Sequence, residues 1–228
     1  MTFTHLHTHS TYSDGLAHPF DLVQYARALG FSSLALTDHN TLDGHGAFLA
    51  ASLQYGIRPI LGVELRVHLD TLSGHMVVLT RSRDEHTRLY HLVHRKRKIS
   101  LGDLKGCGVV TSGCLGGIAA GLLRKGDYWS ARDVLLRCQE SLGADFYIEV
   151  QPTFGTVLPW LLSLSRDLGI RTVATNDVHY LKPEDSVRHQ NAGLYLATDT
   201  QMRASCPFID YEDGIKNAED IAHSCLWN

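Results

Sequence analysis

Short apolar runs alternate with longer stretches of helical periodicity along most of the chain. Phe3–Leu6, Ser33–Leu36, Pro59–Val67, Met76–Thr80, Val109–Thr111, Phe146–Val150 and Arg171–Ala174 read as strands. Between and after them, Pro19–Leu29, Asp43–Tyr55, Asp84–Lys98, Leu115–Leu123, Asp127–Leu142, Leu158–Leu168 and Pro183–Leu196 read as helices, followed by a helical tail over Gly214–Cys225. Punctuation agrees: Pro19 sits in a first helical turn, and Gly30, Gly56 and Gly169 fall just past helix ends. Asp70, Thr71, Leu72, Ser73 and Gly74 predict a hairpin, with His75 just ahead of the strand that follows. Repeated β-α alternation argues for an α/β fold of parallel strands covered by helices. This many units predict a closed or nearly closed barrel, whose site forms at the C-terminal ends of its strands.

At 228 residues the chain is long enough for one large domain and short for two. The expected unit is a single domain over 1–228, with a C-terminal helical portion over about 183–228. Hydrophobic segments are brief and broken by charges, so no transmembrane helix is expected. The first residues lack the basic region and apolar core of a signal peptide. Five cysteines without a CxxC pair argue against a disulfide framework and for a reducing cytoplasm. Cys107, Cys138, Cys206 and Cys225 read as packing residues. A net charge of −3 gives no global attraction to nucleic acid, although bound divalent cations would reverse the local sign.

The 14 histidines are the unusual feature. In His5-Leu6-His7-Thr8-His9, residues two apart share a face, so His7 and His9 reach one ion together and His5 lies on the same side. An exposed polar strand end is the plainer alternative. Thr37-Asp38-His39-Asn40 follows an apolar strand directly, where barrel sites form. Glu64 lies inside the apolar run Ile60-Leu61-Gly62-Val63, where a carboxylate needs a salt-bridge partner or a metal. Asp177 and His179 share a face at the end of another strand. Four strand ends offering histidine or carboxylate are hard to assign to solvated surface.

These motifs resemble those of the polymerase-and-histidinol-phosphatase (PHP) family. "HLHTHSTYSDG", "LALTDHN", "GIRPILGVE", "SGHMVVL", "TSGCLGG" and "VATNDVHYLKPED" match its successive motifs, in order, from Thr4 to Asp185. The resemblance implies a distorted (β/α)7 barrel with up to three metals in a central cleft. It implies His7, His9, Asp14, His39, Glu64, His75, Cys114, Asp177 and His179 as ligands. Cys114, "SGCLGG" and "ATNDVHYLKPED" are similar to the N-terminal PHP domains of bacterial DNA polymerase III alpha subunits. "YSDG" and "TDHNTLDG" look more like free-standing phosphoesterases, and the polymerase catalytic domains are not expected within these residues.

The chemistry so implied is phosphoester hydrolysis by a metal-activated water at Glu64, Asp177 and His179. Imidazole, carboxylate and thiolate suit zinc, manganese or iron better than magnesium or calcium. His5, Asp38 and Asn176 are candidates for orienting the ligands, with a purely structural role as the alternative. The polymerase resemblance implies a DNA 3′ end as substrate, hence a 3′→5′ exonuclease in DNA replication or repair. A small-molecule phosphomonoesterase, or a non-catalytic metal-stabilised module associated with a DNA polymerase, are the alternatives. The basic run Arg95-Lys96-Arg97-Lys98 either contacts a phosphate backbone or is a solvated helix end.

Overall fold

A computed structural model describes residues 3–95, 97–189, 191–205 and 209–225; Lys96 and Cys206 fall outside the described residues. The strands are β1 (Ser33–Leu36), β2 (Arg58–Leu69), β3 (Leu72–Leu79), β4 (Ile99–Ser100), β5 (Val109–Thr111), β6 (Phe146–Val150) and β7 (Thr172–Ala174). The helices are α1 (Pro19–Ala28), α2 (His45–Tyr55), α3 (Arg83–Val93), α4 (Ile118–Arg124), α5 (Tyr128–Leu142), α6 (Leu158–Leu168), α7 (Asp199–Ala204) and α8 (Ile209–Ser224). One curled sheet runs β1-β2-β3-β5-β6-β7, with β4 beside β2. β3 is antiparallel to both neighbours, and the remaining pairings are parallel.

Residues 3–9 close this sheet into a distorted barrel. On one side, Ala35 N–H donates to His5 O and Thr37 N–H to Thr8 O, both at 2.9 Å. On the other, His9 N–H donates to Val178 O at 2.7 Å and Val178 N–H to His7 O at 3.0 Å. The segment was expected to be a regular strand, and it is not. Its bonds are divided between two neighbours and one side chain, Thr37 Oγ1, which accepts from Thr8 N–H at 3.0 Å. No continuous ladder forms, yet the extended path keeps His7 and His9 at the barrel's mouth.

Other boundaries differ for identifiable reasons. The hairpin turn is only Asp70-Thr71, with Asp70 in the left-handed region at φ 53° and Leu69 paired to Leu72. Gly74 therefore lies within β3, where a Cβ would stand 2.6 Å from Ile118 N; it serves close approach rather than a turn. His75 is likewise inside β3, opposite Arg66, instead of ahead of the strand. α3 stops at Val93, and Ile99–Ser100 pairs with β2 as β4. α4 begins at Ile118, three residues later than the pattern predicts, because Gly117 N–H turns back to Cys114 O at 2.8 Å. The helix expected over Pro183–Leu196 is a 3₁₀ turn at Pro183–Arg188. Beyond it, the chain pairs in extended form, with Leu196 N–H on Tyr180 O at 3.1 Å and Leu194 O accepting from His179 N–H.

Branched apolar side chains fill the barrel wall: Val63, Val78, Val110, Ile148 and Val173 have no exposed surface. The expected C-terminal helix is α8, which packs on β7 and buries Ile215, Ala218 and Ala222. Cys107, Cys138 and Cys225 are buried and free. Among the described residues, no helix is long and apolar enough to cross a membrane.

Candidate metal centre

The strand ends bring their chemistry to one place. His7, His9, Glu64 and Asp177 form one group of potential ligand atoms; His9, Asp14, His39 and His179 form a second; His39, Glu64 and His75 form a third. The groups share members pairwise: His9 links the first two, His39 the last two, and Glu64 the first and third. A neutral imidazole serves one cation at a time, whereas a carboxylate bridges two. Glu64 is placed to bridge, with Oε2 3.5 Å from His7 Nε2 and 3.4 Å from His9 Nε2, and Oε1 3.1 Å from His75 Nδ1. Cys114 Sγ stands 3.4 Å from the same Oε1 and 3.9 Å from His75 Nδ1, so it adjoins the third group.

Local structure explains how these side chains are held. Asp177 adopts a left-handed φ of 49°, uncommon for a non-glycine residue, in the turn after β7. His179 Nδ1–H donates to Asp177 O at 2.7 Å, which leaves Nε2 facing Asp14 at 3.4 Å. Asp38 accepts from Ser10 N–H, Ser10 Oγ and Ser13 Oγ at 2.7, 2.8 and 2.7 Å, fixing the turn that presents Asp14. Asn176 donates to Gly193 O and Tyr195 O at 2.9 and 2.8 Å, tying down a segment beside the cleft. His5 lies apart, although the alternation rule placed it on the ligand side. Its Nε2 bonds Ala197 O at 2.8 Å, and its ring packs edge-on against Phe3 and Phe31.

Sequence reasoning missed Glu149. It is wholly buried on β6 and accepts from His7 Nδ1–H at 2.7 Å. Gln151 Nε2 donates to it at 2.8 Å, and the Thr111 and Thr175 hydroxyls complete its shell. A carboxylate on Nδ1 fixes the tautomer that leaves the His7 Nε2 lone pair free for a metal. The signal was legible: a glutamate inside the apolar run "FYIEV" is the same anomaly that singled out Glu64.

The donor set fits divalent cations. Glu64 Oε2 and Asp177 Oδ1 are buried and accept no hydrogen bond. Histidine nitrogens nevertheless stand as near as 2.8 Å to Glu64 Oε2 and 3.2 Å to Asp177 Oδ1. Nitrogens that flank a carboxylate oxygen without aiming a proton at it are arranged as ligands around a common ion are. The electrostatics show the same deficit of positive charge. Burial opposes protonation of His7, but Glu149, Asp177 and Glu64 together lift its pKa well above the usual value. Burial likewise opposes His39, yet Asp14 and Glu64 raise it to about 10. Burial works against ionisation of Glu64 and Asp177, and the neighbouring histidines still hold both carboxyls low, Asp177 at about 2. Burial pushes the Cys114 thiol far up, reinforced by Asp177 and Glu64. A cation among them would displace these protons.

A cleft of about 740 Å³ opens over the ligands, with Asp14, His39, His75, Cys114, Asp177 and His179 in its wall. None of Arg95, Arg97 and Lys98 lines it. Arg95 and Arg97 are ion-paired with Asp103 at 3.3 and 2.5 Å.

The PHP-domain family model matches residues 5–153. The DNA polymerase III alpha subunit of Borreliella burgdorferi is 30% identical over an alignment covering 98% of this chain and 24% of that protein. The Bacillus subtilis alpha subunit is 33% identical over 83% of this chain and 18% of its own length. The chain thus spans about a quarter or less of these relatives. Among solved structures, a Bifidobacterium adolescentis protein assigned as a metal-dependent phosphoesterase superposes with a TM-score of 0.57 at 17% identity, covering 88% of this chain and 94% of that one. A Chromobacterium violaceum amidohydrolase with bound sulfate gives 0.54 at 18% identity, over 77% and 87% of the two chains. At such identities these neighbours speak for the fold alone. The sequence match over residues 5–153 places the chain in the PHP-domain family, resembling the PHP domains of DNA polymerase III alpha subunits, and the convergent side chains are a candidate site for divalent metals.

Proposed function

We propose that this cleft hydrolyses phosphodiesters and that its substrate is the 3′ end of a DNA strand, making the chain a 3′→5′ exonuclease. The observation that carries the hydrolytic reading is Glu64, whose two oxygens face different groups of ligands. With each imidazole assigned to one ion, His7, His9, Glu64 and Asp177 would hold a first ion, Glu64, His75 and Cys114 a second, and Asp14, His39 and His179 a third. Nitrogen-rich ligands with one thiolate favour zinc, manganese or iron over magnesium. Bound there, such cations lower the pKa of water towards neutrality and offset charge on phosphoryl oxygens.

The chain's own residues orient and protect that chemistry. Glu149 and the Asp177 carbonyl fix the tautomers of His7 and His179. His179, in the cleft wall, turns Nε2 towards Asp14, the orientation a ligand of the third ion would take. The DNA end is favoured over a small phosphomonoester by the likeness to DNA polymerase III alpha subunits, and that likeness also supports association with a polymerase. A paired assay with Mn²⁺ tests this reading, using a 3′-recessed DNA duplex and a small phosphomonoester. Nucleotides released from the recessed 3′ end are the expected result. Turnover of the small ester alone would remove the exonuclease assignment.

A further inference from the structure

The cleft is larger than a metal cluster and one phosphate require. Its volume of about 740 Å³ falls within the range of roughly 300–1,000 Å³ typical of sites for nucleotide-sized ligands. Part of its wall belongs to no metal ligand: Arg124, at the end of α4, and residues 153–157 of the 3₁₀ turn Pro152–Val157. Among the described residues, Arg124 is the only arginine or lysine in that wall. Its side chain is exposed and makes no hydrogen bond or ion pair among the described residues. The contrast with other arginines is sharp. Arg81 is held by Glu85 and Asp145, Arg137 by Asp70, and Arg203 by three carboxylates.

The turn beside Arg124 is built to a fixed position. Thr153 Oγ1 donates to Gln151 Oε1 at 3.3 Å, Gln151 Nε2 donates to Glu149 at 2.8 Å, and Glu149 holds His7 at 2.7 Å. This chain of hydrogen bonds ties the wall to a metal ligand. Gly155, at φ 53°, takes a conformation that side-chain-bearing residues rarely adopt, and a Cβ there would meet nothing within 4 Å. The backbone angle, not lack of space, is what favours glycine there. A guanidinium left unpaired in a cleft offers forked donors that match a phosphate.

We propose that Arg124 and the 152–157 turn form a subsite for a second phosphate, so that the cleft favours phosphodiesters carrying a further phosphate over esters with one. This rests on the hydrolytic reading and names the residue that sets its substrate class. The Mn²⁺-loaded full chain is assayed on d(TpT) and d(TpTpT), which share their linkage and differ by one thymidylate, hence by one phosphate. The wild type prefers the trinucleotide. Arg124→Gln lowers the ratio of kcat/KM for d(TpTpT) over d(TpT) by about tenfold, through KM, as loss of a charge-assisted bond predicts. Arg124→Lys restores part of it. An unchanged ratio, or an equal fall in kcat on both substrates, overturns the assignment.

Equilibrium binding of a short oligothymidylate by fluorescence anisotropy, across a salt series, separates the two claims. Arg124→Gln reduces the slope of log K against log salt by about 0.7, the share of one phosphate contact on a single strand. An unchanged slope refutes the subsite even where hydrolysis is found. A reduced slope upholds it even where no ester is turned over.

Discussion

His5 and His7 are two residues apart and both wholly buried, yet they inhabit opposite electrostatic surroundings. His5 meets a backbone carbonyl and aromatic edges, and burial depresses its pKa to about 4. His7 suffers the same burial, but Glu149, Asp177 and Glu64 surround it and raise its pKa well above normal. His45 repeats the first pattern, with burial lowering it to about 4, and His39 the second. Burial alone makes a neutral histidine. Burial among carboxylates that, among the described residues, pair with no lysine or arginine makes a place that favours cations.

Substitutions in the two surroundings differ most in their effect. His9→Ala or Asp177→Ala lowers hydrolysis by about 10³-fold, the scale of losing a stabiliser of transition-state charge, and reduces the metal bound per chain. His5→Gln leaves the metal content unchanged. A well-folded His9→Ala protein with full activity would contradict the site. Acid stability comes next. His5 and His45 fold neutral, whereas the unfolded chain protonates them near pH 6.5. Stability is therefore lost as pH falls from about 6.5 to about 4, by roughly 3 kcal/mol for each histidine. His39 has the opposite sign in metal-free protein: its contribution is complete below about pH 6.5 and vanishes as pH rises through about 10. Denaturant midpoints at pH 7 and 4.5 check this, with a shallower acid loss expected in His5→Gln.

Glu149→Gln weakens metal binding by about 10- to 100-fold in chelator competition, because His7 loses the carboxylate that orients it. Unaltered affinity would make Glu149 a packing residue. The smallest effect is proton release. Loading metal at pH 7 displaces protons from His7 and His39, so binding enthalpy measured by calorimetry varies with the ionisation enthalpy of the buffer. Buffer-independent enthalpy would mean that those nitrogens were never displaced.

Much of this was legible in the sequence, for physical reasons that also mark where legibility ends. The β-α rhythm gave the barrel because covering helices and buried strands differ in period. His7, His9, His39, Glu64, Asp177 and His179 stood out because each interrupts or follows an apolar strand. Glu149 satisfies the same criterion and was passed over because no motif drew attention to it. Pro183–Leu196 has helical periodicity, but its backbone donors and acceptors pair with His179 and Tyr180 in extended form, a tertiary contact that no local pattern records. Gly74 looked like a turn and is a packing contact. The cations at Arg95 and Arg97 drew the eye as a run, while the isolated Arg124 reached the cleft only through folding.

If the convergent strand ends hold a cluster of cations, the purified chain binds several at once. Elemental analysis of the purified chain, equilibrated with Zn²⁺ or Mn²⁺ and freed of excess ion, measures this directly. The arrangement predicts more than one ion per chain and up to about three at saturation, fewer in Asp177→Ala and the same in His5→Gln. One ion or none in the saturated wild-type chain would contradict it.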